Sequence, residues 1–281
     1  MHEDIDPRAW MGRLADGASL YDVSLPGTHD TCALHGGDWP TTQSRPLSEQ
    51  LDAGVRFLDI RCRHEGDGFR IFHGIVDQHL EYGAGVQQVC LDFLNAHPSE
   101  TIVMSVKQEG DGGGNARTFE QVFRGYIERF DCGARWRLGD EVPTLAEARG
   151  KIVLFRRFDT DAQGAVLGLK PLPWPENTLF QVSNRASFRV QDAWRIPTLA
   201  DRGVKWNRVK AMLDEARQGE RTLFVNFCSG TGMGSYPRLM ADDINPRLTR
   251  YLTQSPKGRF GWVLVDFETD ELNRLIFETN F

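Results

Sequence analysis

Long apolar runs are missing from this chain of 281 residues. No stretch approaches the ~18 consecutive apolar residues that span a bilayer, so no segment reads as a transmembrane helix. A basic surplus is missing too: 33 Lys and Arg stand against 39 Asp and Glu, for a formal net charge of −6. Nucleic-acid binders carry clustered cations, so nucleic acid is not expected as a partner, while a local basic pocket stays open. Cysteine is sparse, odd in number and without a CxxC pair: Cys32, Cys62, Cys90, Cys132 and Cys228. That spacing fits neither a disulfide framework nor a zinc site and leaves buried free thiols. The start, Met1-His2-Glu3-Asp4-Ile5-Asp6, is acidic and lacks the apolar centre of a signal peptide. Two readings follow, a cytoplasmic protein or one whose leader is not part of this chain. No repeat, low-complexity tract or linker divides residues 1–281, which read as one domain.

What is present is an ordinary globular composition, 40% hydrophobic and 26% charged, long enough for a large core. Apolar runs predict strands at 20–24, 57–61, 69–72, 101–106, 152–155, 188–191, 222–227 and 262–265. Helical spacing or capping predicts helices at 48–53, 83–96, 118–129, 144–149, 207–218 and 245–252, with a short one inside 2–17. Residues 35–46, 172–175 and 228–235 are rich in Gly, Pro and Ser and read as irregular. Strands separated by helices argue for an α/β architecture, a (β/α)8 TIM-like barrel that is irregular, with one or two outer helices missing around strands five and six.

Polar residues fall where such a barrel keeps its chemistry. His29, Asp59 with Arg61, His73, Lys107, Arg157, Asp192 and Asp266 lie at or just after the carboxyl ends of the expected strands, which converge on one mouth. Pro26-Gly27 breaks the first strand before His29, freeing that side chain to point into a cavity. Two histidines can serve as a base and acid pair near neutral pH. A carboxylate, Asp266 or Asp30, would fix the tautomer of His29, and Arg61 would stabilise charge on a phosphoryl oxygen. Taken singly, Asp59 with Arg61 also reads as a structural ion pair, and Lys107 as a solvated tip.

The motifs Pro26-Gly27-Thr28-His29-Asp30, Arg56-Phe57-Leu58-Asp59-Ile60-Arg61 and Phe72-His73-Gly74 resemble those of bacterial phosphatidylinositol-specific phospholipases C. The likeness continues through Pro98-Ser99-Glu100-Thr101-Ile102-Val103-Met104-Ser105, Gly150-Lys151-Ile152-Val153-Leu154, Val190-Gln191-Asp192, Asn226-Phe227 and Gly261-Trp262-Val263. The resemblance implies a barrel that cleaves phosphatidylinositol to diacylglycerol and inositol 1,2-cyclic phosphate by attack of the inositol 2-hydroxyl. It implies His29 as base with Asp266 behind it, His73 as acid, and Arg61 with Asp30 and Asp59 on the phosphate. Lys107, Arg157 and Asp192 would hold inositol hydroxyls, and Trp194 stands where the family places a tyrosine under the ring.

The same resemblance implies a secreted monomer that meets a membrane surface transiently, with no cofactor. Arg61 occupies the position where calcium-dependent relatives bind the ion, so metal-independence is expected, while Glu109, Asp111 and Asp77 keep a calcium site conceivable. The membrane helix of the family is replaced by the helix-poor His35-Gly36-Gly37-Asp38-Trp39-Pro40. Trp39, Met233 and Tyr236 are the expected interfacial contacts, with packing on their own loops as the plainer reading. Two other function classes stay in view: a silent binding module for lipid head groups, and a metal-dependent barrel phosphodiesterase on another phospholipid.

Overall fold

Alternation with a period of two runs through Phe57-Leu58-Asp59-Ile60-Arg61-Cys62, and a strand must turn those residues to opposite faces. In the computed structural model, which describes residues 5–129, 132–219 and 221–281, Leu58, Ile60 and Cys62 face an outer layer of helices. Phe57, Asp59 and Arg61 face the barrel interior. Met1 to Asp4 of the acidic N-terminal stretch lie outside the described residues, and the helix expected in 2–17 is a 3-10 turn at Trp10–Arg13.

The elements in chain order are β1 (Leu25–Thr28), α1 (Leu47–Asp52), β2 (Phe57–Glu65), β3 (Gly68–His73), β4 (Val76–Glu81), α2 (Gln88–Ala96), β5 (Ile102–Gly113) and α3 (Phe119–Arg129). They continue as β6 (Trp136–Arg137), α4 (Leu145–Ala148), β7 (Ile152–Arg157), β8 (Leu179–Ser183), β9 (Ser187–Gln191), α5 (Asp201–Gln218), β10 (Leu223–Phe227), α6 (Pro237–Gln254), β11 (Trp262–Val265) and α7 (Asp270–Phe277). Among the described residues these strands form one sheet in the order β6-β7-β5-β2-β1-β11-β10-β9-β8. Pairs from β6 round to β9 are parallel, and β8 closes on β9 antiparallel. The barrel is therefore open between its edge strands β6 and β8, and residues 158–178 form no helix there, with Leu169 bridging to Phe155.

Several expectations need correction. The first strand is Leu25–Thr28 rather than 20–24, and it runs through Pro26 and Gly27. Pairing with β2 begins only at Gly27, so the donor that Pro26 lacks has no partner waiting on that side. Gly27 is required there, because a Cβ would sit 2.9 Å from Cβ of Phe57. The stretch at 69–72 is not a barrel strand, since the two-residue turn at Gly66-Asp67 returns it antiparallel to β2, and parallel pairing needs a long crossover. β2 therefore pairs directly with β5, and the short β6 adds to the far edge of β7. β2 and β5 extend past Arg61 and Lys107, so these two lie within strands rather than at their ends. Helices α5 and α6 start earlier than 207 and 245, and α6 continues through Pro246. β4, β8 and α7 were not expected; α7 carries its own start signal, Thr269, whose side chain accepts from Leu272 N–H.

The lower interior is closed by aromatic rings. Phe57 lies 5.4 Å from both Phe155 and Trp262, and Phe155 lies 5.9 Å from Phe188. Each is fully buried, worth about 1.5–3 kcal/mol apiece on the apolar-transfer scale. Beneath them the buried Arg56–Glu100 pair, 2.9 Å apart, also binds the carbonyls of Pro7 and Arg8 and ties the N-terminal segment to the barrel floor. With the floor packed, the open end above the rings is the place left for polar chemistry.

Candidate active site

Register sets the site. Arg61 pairs with Lys107 and Lys107 with Arg157 across β2, β5 and β7, so three inward cations share one row above the aromatic floor. Like charges this close need carboxylates, and the structure supplies them. Arg61 contacts Asp30 and Asp59 at 3.1 Å each and Glu109 at 3.7 Å. Lys107 Nζ donates to Glu109 at 2.6 Å, and Arg157 reaches Asp59 at 3.3 Å and Asp192 at 4.0 Å. Burial alone would raise Asp59, yet Arg61, Arg157 and His29 outweigh it and hold its carboxyl well below the usual range. Burial opposes the Arg61 charge as well, and Asp30, Asp59 and Glu109 more than offset that.

The two histidines sit beside this row. His29 ends β1, and its Nδ1 lies 2.8 Å from Oδ1 of Asp266, a residue 237 positions away that ends β11. Arg61 Nη2 lies 2.8 Å from Nε2 of the same ring. A guanidinium only donates, so Nε2 is an acceptor and Nδ1–H donates to Asp266. Burial first, and then Arg61, push His29 well below its ordinary value, which keeps it neutral and able to take a proton. Asp266, not Asp30, is thus the carboxylate behind His29. Asp30 turns to Arg61 and stands 3.4 Å from His73, whose Nδ1 is 2.7 Å from the carbonyl of Pro40. That leaves Nε2 of His73 for the cavity, with the two imidazole rings edge-on at 6.3 Å.

A cavity of about 280 Å³ brings together His29, Arg61, His73, Lys107, Arg157, Asp192, Trp194 and Asp266. Asp30 and Asp59 lie behind it as buried counter-charges. Sequence reasoning missed several neighbours. Trp174 stacks on Arg157 at 3.6 Å and donates its ring N–H to Asp192 at 2.9 Å. The available signal was an aromatic held between two prolines in a polar loop. Glu109 was weighed only as a metal ligand, whereas here it pairs with cations, and Asp111 and Asp77 are engaged elsewhere, with Asn115 and Arg70. Among the described residues no group of three or more His, Cys, Asp or Glu is placed to hold a metal ion. Ser229 and Glu176 also line the cavity, and the Ser229 hydroxyl is buried without a partner. Trp39, Met233 and Tyr236 are not in the cavity but on its rim, with the rings of Trp39 and Tyr236 6.2 Å apart.

The chain is 32% identical over 285 residues to the 1-phosphatidylinositol phosphodiesterase of Staphylococcus aureus strain Newman, covering 93% of this chain and 88% of the relative. The chain belongs to the phosphatidylinositol-specific phospholipase C family. The family model described as phosphatidylinositol-specific phospholipase C, X domain, matches residues 26–158, which hold both histidines and the whole cation row. Two solved structures extend the phospholipase C likeness to the remaining strands. One, from a description of modulated membrane binding by the Staphylococcus aureus enzyme, superposes with TM-score 0.88 at 29% identity over 98% of each chain. The other, the phosphatidylinositol-specific phospholipase C of Listeria monocytogenes, superposes with TM-score 0.81 at 25% identity, covering 99% of this chain and 100% of that one. The irregular open barrel is thus the family's architecture in this chain too.

Proposed function

We propose that this chain cleaves phosphatidylinositol to diacylglycerol and inositol 1,2-cyclic phosphate. One observation carries the reading: a neutral His29 backed by Asp266 faces His73 across the Arg61 guanidinium, with sugar-sized room beside them. His29 Nε2 takes the proton of the inositol 2-hydroxyl, whose oxygen attacks phosphorus. The bond from phosphorus to the glycerol oxygen breaks, and His73 Nε2 gives that oxygen its proton. Arg61 meets the phosphoryl oxygens with its fork of donors, leaving Nε2 of His29 to the hydroxyl. Asp30 lies 3.4 Å from Nδ1 of His73, which leaves Nε2 to face the leaving oxygen.

Lys107, Arg157 and Asp192 are assigned to the inositol hydroxyls, and Trp194 to the face of the ring. The Arg157–Trp174–Asp192 cluster supports this by presenting Asp192 in a fixed orientation. Arg61 amid three carboxylates supports a reaction without calcium, because the cation position is filled by the chain itself. The intact acid and base pair favours catalysis over silent binding. Exposed Trp39 and Met233 beside Tyr236 on the rim support transient contact with a lipid surface. All five cysteines are buried and free, so their thiols are shielded in an oxidising and in a reducing medium alike.

The test is an assay of the pure chain on phosphatidylinositol, first with a chelator and then with calcium, with phosphorus NMR identifying the product. Cyclic inositol phosphate under chelation is expected, and no release in either condition overturns the reading. His29→Ala and His73→Ala should each lower turnover about 10²- to 10⁴-fold without loss of thermal stability.

A further inference from the structure

Residues 35–46 read as an irregular loop, yet two of them are among the most buried polar side chains in the chain, Thr42 at 0% and Gln43 at 1% exposure. They are wedged between the ends of β1 and β11. Gln43 Nε2 donates at 2.9 Å to the carbonyl of His29 and at 2.9 Å to the carbonyl of Val265, the residue before Asp266. Its two amide hydrogens thus hold the two halves of the dyad. Gln43 Oε1 accepts from Glu268 N–H at 3.4 Å. Thr42 adds two more ties: its hydroxyl donates to the carbonyl of Asp30 at 3.0 Å, and its own carbonyl accepts from Phe267 N–H at 2.7 Å.

The residues so held are the ones that need holding. Asp30 and Phe267 each follow a dyad member, and each has positive φ, +44° and +48°. Bulky L-residues adopt that left-handed conformation only when surrounding contacts over-determine it. Both turns aim the preceding side chain, His29 or Asp266, into the cavity. On its other side Asp266 is braced through its carbonyl by Asn245 Nδ2 at 2.9 Å.

We propose that Thr42-Gln43 is a clamp that sets the spacing of His29 and Asp266, making Gln43 a positioning residue for proton transfer. The proposal rests on the phospholipase C reading for its rate measurements. The hydrogen bonds of Gln43 run to the backbone of Ala33, His29, Val265 and Glu268 and not to Lys107, Arg157 or Asp192, so its loss acts on turnover rather than on head-group binding.

Gln43→Met keeps chain length and removes both donors. Expected is a fall in kcat on phosphatidylinositol of about 10- to 100-fold, with KM nearly unchanged. In proton NMR without substrate, the low-field resonance of His29 Nδ1–H, assigned by its loss in Asp266→Asn, should shift or broaden. A folded Gln43→Met chain with native kcat and an unmoved resonance overturns the clamp. Where Gln43→Met does not fold, Thr42→Val decides, since it keeps shape and removes one hydrogen bond: reduced kcat at constant KM supports the clamp, and native kcat overturns it. A wild-type chain that releases no cyclic inositol phosphate instead sinks the functional reading, while the resonance still reports on the clamp.

Discussion

The guanidinium of Arg61 caps Nε2 of His29, with 2.8 Å between Nη2 and Nε2. This contact holds the ring in the tautomer whose Nε2 accepts. In the proposed mechanism an arriving phosphodiester would draw the guanidinium onto its oxygens and release Nε2, which would make substrate binding and activation of the base one event.

Arg61→Lys tests this coupling better than Arg61→Ala, which would strand Asp30 and Asp59 as buried charges. Lysine keeps the charge and loses the fork. The expected result is a drop in kcat of about 10²- to 10³-fold at retained fold, measured on phosphatidylinositol in detergent micelles.

Burial raises Asp30 from 3.8 to about 6, against the pull of Arg61 and His73. His29 lies well below its ordinary value, so the acid side of the kcat/KM profile should follow Asp30 and fall as pH drops through about 6. In Asp30→Asn that limb should vanish from the residual activity. For stability the sign is opposite: between about pH 4 and 6 the folded chain binds the extra proton, so this group's contribution declines as pH rises through that window. A limb that persists in Asp30→Asn would assign it to another group.

Lys205 of α5 is a second buried charge, 1% exposed and bonded to Oε1 of Gln191 and the carbonyl of Ala193. Burial lowers it from 10.5 to about 8. Between about pH 8 and 10 the unfolded chain binds more protons, so stability from this residue rises with pH, by at most about 1.4 kcal/mol per unit. Denaturant titrations at several pH values should show this rise in the wild-type chain and not in Lys205→Met.

Met233 is 97% and Trp39 57% exposed, and Ile75 is exposed as well. Ile75 follows His73-Gly74, which line the cavity, and Gly36, close to Trp39, packs near Val76, so Ile75 and Trp39 border the cavity mouth. Trp39→Ala should weaken partition onto phosphatidylinositol-containing vesicles roughly tenfold, in line with losing one buried aromatic. Sedimentation with vesicles measures it, and the rate loss should be larger on vesicles than on a soluble short-chain substrate.

The sequence by itself determined the inward row of Asp59 and Arg61, the two histidines, and the parallel strands that carry Lys107, Arg157, Asp192 and Asp266. These are local features: period-two alternation, apolar runs and short motifs are written in neighbouring residues. Only the tertiary structure decided that Trp174 packs on Arg157 at the cavity and that Gln43 joins the ends of β1 and β11. Both depend on contacts with residues beyond the local segment, 18 positions for Trp174 to Asp192 and 222 for Gln43 to Val265. A donor in an irregular loop carries no local sign of which distant carbonyl it will meet, because packing, not propensity, chooses its partner.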